Sequence, residues 1–144
     1  MKARIGFGVL AMMCVLVQGA IAGGKGDLKK YFNDTACKVK ATADPVQKRA
    51  ILDKSFQTMS KALDRVENSG LLSQNDRAGM DRFKTTIQEK QDELEGNNGF
   101  ERVADANLNA FSDYVVQDMQ QADRYISISL VAALLIVIIL ILLL

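Results

Sequence analysis

Histidine and tryptophan are absent from this 144-residue chain, and proline occurs once, at Pro45. Without histidine, most nucleophilic triads and transition-metal sites lose their usual base or ligand. One proline over such a length argues against turn-rich β structure and for helices. Cysteine is scarce too, because Cys14 falls inside an apolar leader and Cys37 is then alone in the rest of the chain. A lone cysteine closes no internal disulfide, so Cys37 is expected to be a small buried apolar side chain, with a bridge to another chain as the alternative. No glycine-rich phosphate loop is found, since Gly23-Gly24-Lys25-Gly26 follows an apolar leader and not a strand. These absences lead to the expectation of a non-enzymatic protein with no cofactor and no metal.

The 49% hydrophobic content is concentrated at the two ends. Lys2 and Arg4 precede an apolar run, and Ala20-Ile21-Ala22 offers the small-x-small pattern of a cleavage site, so residues 1–22 are expected to be a secretory signal peptide. Residues 126–144 carry no charge, and Ser127 and Ser129 are their only polar side chains. A helix over this stretch spans about 28 Å, close to the hydrocarbon thickness of a bilayer. The expected organisation is a signal peptide over 1–22, an exported helical domain over 23–125 and a C-terminal transmembrane anchor over 126–144. The protein is then single-pass, with 23–125 on the periplasmic or extracellular side.

Between the apolar ends the periodicity is helical. Leu28, Phe32, Ala36 and Val39 share one helical face. Asp44, Pro45 and Gln47 form an N-cap, an N1 proline and a capping box for the next helix. That second helix carries Leu52, Phe56, Met59, Leu63 and Val66 at heptad spacing, which makes this row the candidate packing or interaction face. Lys48, Arg49, Lys54, Lys61, Asp64 and Arg65 are assigned to its outward positions. Asn68-Ser69-Gly70 stops it, and Ser73 caps a third helix bearing Met80, Phe83, Ile87 and Leu94, with Lys90 or Gln91 interrupting the seam. Gly96-Asn97-Asn98-Gly99 ends that helix. From Asp105, a stripe of Leu108, Phe111, Val115, Met119 and Ala122 leads without Gly or Pro into the apolar tail, so a continuous rod into the membrane is expected. The fold class is all-α: a small three- or four-helix antiparallel, coiled-coil-like bundle followed by a single C-terminal transmembrane helix.

Charge is asymmetric along the chain. Residues 25–66 hold ten basic and five acidic side chains, whereas 67–125 hold six basic and twelve acidic. The two halves are expected to pack against each other, with a basic half facing lipid headgroups as the alternative. Nucleic acid is not an expected partner, because the basic residues lack interleaved aromatics. Asp92, Glu93, Glu95, Asn97 and Asn98 cluster unfavourably at a helix C-terminus, where basic residues of the second helix or a calcium ion would compensate them. The expected function is an accessory, adaptor or scaffold subunit of an envelope membrane complex. Its partners are the bilayer and another membrane protein or a second copy. The alternative is a lipid- or small-ligand-binding helical module at the membrane surface.

Overall fold

The computed structural model describes residues 26–70, 72–122, 124 and 126–143. The signal-peptide reading of 1–22 lies outside the described residues. Those that are described form helices joined by short connections, with no strand among them.

Helix α1 (Gly26–Ala41) buries Leu28, Phe32, Ala36 and Val39, the row its spacing implies. Its end is closed by Thr42, whose hydroxyl donates to the Lys38 carbonyl at 2.7 Å. Asp44 then starts α2 (Pro45–Asn68) by accepting from the Val46 amide at 2.9 Å, with Pro45 at a position that needs no amide donor. Gln47 is exposed, and Asp44 supplies the observed cap. Helix α2 stops at Ser69 and Gly70, where Gly70 has φ of 72°.

Helix α3 (Gln74–Glu95) begins where Ser73 accepts from the Asp76 amide at 3.2 Å. It ends at Gly96, φ 77°, where the Gly96 and Asn97 amides both donate to the Asp92 carbonyl. Residues 100–104 are loop, a 3-10 turn occupies Asp105–Asn107, and α4 covers Leu108–Ala122.

Helix α2 is central and packs against α1, α3 and the C-terminal helix, while α4 packs chiefly on α1. The α1–α4 contact joins the basic half to the acidic half, as Lys40 and Asp113 illustrate at 2.5 Å. Phe32 and Phe56 meet across α1 and α2 with ring centroids 6.4 Å apart. Each such fully buried large side chain stabilises the fold by roughly 1.5–3 kcal/mol relative to exposure.

The expected continuous rod is not formed. Helix α4 ends at Ala122, and a separate helix α5 (Ile128–Leu143) begins after Ser127. Ser127 caps α5, its hydroxyl accepting from the Leu130 amide at 3.2 Å. The physical reason is burial: Ile126, Leu130, Val131, Leu134, Leu135 and Ile138 join the same core as α2, which requires the chain to turn back after Ala122. A straight extension of α4 would leave all six outside the bundle. At 16 residues α5 is about 24 Å long, and among the described residues no helix is long and apolar enough to cross a membrane.

Candidate functional site

Three helix faces converge on one groove. Helix α1 contributes Lys30, Asp34 and Lys38 at four-residue spacing, beside Tyr31 and Thr35. From α2 come Ile51, Lys54, Ser55 and Thr58, and from α5 come Leu135, Ile138, Ile139 and Leu142, both sets at helical intervals of three and four. The groove encloses about 420 Å³. That volume falls within the roughly 300–1,000 Å³ of small-molecule sites.

Its floor is a closed hydrogen-bond set. The Tyr31 hydroxyl donates to the Ser55 carbonyl at 3.1 Å, and the Thr35 and Ser55 hydroxyls lie 3.0 Å apart. Burial pushes the Tyr31 pKa up, and the Ser55 and Thr58 hydroxyls offset this in part. Polar atoms of the floor are thus already satisfied, which leaves the rim charges as the groove's free recognition groups. Partial burial also raises the Asp34 pKa, against the pull of Lys30 and Lys38.

A second polar centre ties α3 to α4. Lys90 is only 2% exposed and donates to Glu93 at 2.8 Å and Asp118 at 2.7 Å. Its ammonium also lies 4.0 Å from the centre of the Tyr114 ring. Burial opposes the charge, but the bonds to Asp118, Glu93 and Tyr114 prevail and hold the Lys90 pKa above the ordinary lysine range. The sequence signal was the interrupted seam of α3, which falls on this buried cation.

Arg49 forms the third centre. Sequence reasoning placed it outward, yet it is 8% exposed. Its guanidinium donates to the carbonyls of Leu94 at 2.5 Å and Val103 at 2.7 Å, and to Asp105 at 2.9 Å. It therefore closes the C-terminal end of α3 and fastens the following loop to α2. Its carboxylate partner is Asp105 and not a member of the acidic corner, where Glu93 is paired by Lys90 of α3 itself. Asp92 accepts from Asn98 at 2.8 Å and Gln88 at 3.1 Å, so its carboxylate is engaged within the chain. Among the described residues no group of three or more His, Cys, Asp or Glu is placed to hold a metal ion.

The candidate interaction face lies inside the molecule. Leu52, Phe56, Met59, Leu63 and Val66 are each at most 5% exposed, so this row packs against the chain's own helices and presents no outer surface. Cys37 departs from the expectation of a free buried thiol: it is half-buried and disulfide-bonded. What sequence reasoning missed is the groove, whose basic residues it recognised only as a charge excess. The chain matches no family model, no curated protein and no solved structure.

Proposed function

We propose that this chain is a non-enzymatic, membrane-attached helical module that acts as an accessory or adaptor subunit and is held at the bilayer through 126–144. The outer face of α5 carries the reading. Ile136, Ile139, Leu140, Leu142 and Leu143 are 38–78% exposed on a helix whose other side is already packed on α2. A helix that merely completed a water-soluble bundle would turn polar residues outward. Helix α5 turns aliphatic ones, and a contiguous apolar patch of this kind marks a membrane or protein contact.

The docked position of α5 favours attachment along the membrane surface, its outer face seated at the headgroup–acyl boundary. A crossing anchor, the other form of the same reading, requires 126–144 to leave α2 and uncover the core side of α5. Export of 23–125 behind a signal peptide belongs to the proposal as well. A second copy or another membrane protein beside α5 is the partner in view.

Vesicle flotation tests the attachment. The full chain should float with zwitterionic vesicles at any salt concentration. The triple variant Ile136→Gln, Leu140→Gln, Leu143→Gln should stay behind while keeping its helical circular dichroism. A native chain that remains in the aqueous fraction would overturn the proposal.

A further inference from the structure

The groove between α1, α2 and α5 joins two chemistries. One part of its lining is aliphatic: Ile51, Leu135, Ile138, Ile139 and Leu142. The other presents three ammonium groups, from Lys30, Lys38 and Lys54, against the single carboxylate of Asp34. Three other lysines of the described residues pair with carboxylates, whereas Lys48 donates to the Asn109 amide. Lys40 pairs with Asp113, Lys84 with Asp64 and Glu67, and Lys90 with Glu93 and Asp118. Among the residues whose side chains are described, no carboxylate lies within ion-pair distance of Lys30, Lys38 or Lys54. Part of the excess positive charge of residues 25–66 is thus gathered at the rim of an apolar slot, where Asp34 offsets Lys30 and Lys38 without a direct ion pair.

We propose that this groove binds a single-chain anionic amphiphile, with its acid head against Lys30, Lys38 and Lys54 and its alkyl chain along Leu135, Ile138, Ile139 and Leu142. Charge complementarity selects the head. The hydroxyl floor is closed upon itself and offers no specific donor, so the lysines supply the polar recognition. The aliphatic wall selects the chain, which gains by leaving water. Ile139 and Leu142 belong to the groove and to the exposed face of α5 at once, so the slot opens onto that face. The inference goes beyond the adaptor reading and depends on α5 being docked, not on how the bundle meets a membrane. An acid head on a single alkyl chain could come from a free fatty acid or an anionic lysophospholipid.

A diazirine-bearing fatty acid, photolysed with the full chain in zwitterionic nanodiscs, tests this by peptide mapping of the adducts. Adducts should map to Ile51, Leu135, Ile138, Ile139 and Leu142, and oleate or lysophosphatidylglycerol should compete for them. The better competitor of the two identifies the source. Oleyl alcohol and inorganic phosphate should compete poorly. The variant Lys30→Gln, Lys38→Gln, Lys54→Gln changes only surface charges and should lower the yield about tenfold, as loss of a charge-assisted head contact implies. Leu142→Glu, placing a carboxylate in the exposed apolar end, should also weaken labelling without unfolding the chain. Adducts centred on Ile136, Leu140 and Leu143 would indicate simple partitioning into lipid and overturn the proposal. Equal competition by the neutral alcohol would also overturn it. Membrane attachment can fail in the flotation experiment while this labelling succeeds, so the two readings are judged separately.

Discussion

Replacing Lys90 by methionine removes the one cation that two carboxylates share between α3 and α4. The Lys90 side chain is 3% exposed, while Glu93 and Asp118 retain 23% and 25%. Loss of one partner from a buried ion pair costs about 3–5 kcal/mol, because the other charge is left unpaired. Glu93 and Asp118 keep some contact with water, so the lower end of that range, about 3 kcal/mol, is expected here. The triple change Lys90→Met, Glu93→Gln, Asp118→Asn removes all three charges together and should cost less than the single change. Chemical denaturation of the full chain, followed by far-UV circular dichroism, reads both. The pH dependence has a defined sign. The folded pKa of Lys90 is raised, so its contribution is fully present below the unfolded lysine value of about 10.4 and is lost only as pH rises through the folded value. The deficit of Lys90→Met should therefore be the same from about pH 6 to pH 9. A single variant as stable as the native chain, or less harmful than the triple, would refute the reasoning.

Arg49→Met should destabilise the protein by about 2–3 kcal/mol, since it strands the Leu94 and Val103 carbonyls and unpairs Asp105. Hydrogen exchange should accelerate first over residues 94–107; uniform acceleration across all helices would contradict a local clamp. Gly96→Ala should cost more than Gly70→Ala, though φ is similar at both positions. A Cβ at Gly96 would sit 2.7 Å from the Arg102 Cβ, whereas one at Gly70 meets nothing within 4 Å. The Gly70 change should cost about 1 kcal/mol for the left-handed backbone alone, and thermal melts that rank the two in reverse would contradict this.

The helical elements were legible wherever local chemistry decides them. Asp44-Pro45, Gly70, Ser73 and Gly96 act within a few residues of themselves, and the heptad row of α2 reports its own burial. Arg49 was misread because its partners lie far along the chain, at Leu94, Val103 and Asp105, and no periodicity encodes them. The break between α4 and α5 was not legible for a different reason: an uncharged aliphatic run suits a bilayer and a protein core alike. The capping signal of Ser127 was present but indistinguishable from a serine within an apolar span. For the groove, the sequence supplied the basic excess. Its convergence with Leu135 and Ile138 depends on α5 turning back, so it was not legible.

Whether α5 stays on α2 at a membrane is the central question, and an electron paramagnetic resonance accessibility scan addresses it directly. Single nitroxide labels are placed from 130 to 143 in the full, unreduced chain bound to vesicles. The account predicts a helical period near 3.6 residues. Positions 136, 140 and 143 should meet lipid-dissolved oxygen, while 131, 134 and 138 should be shielded from both lipid and water. Uniform lipid exposure around the helix, with no period, would show that the tail has left the bundle and would contradict the account.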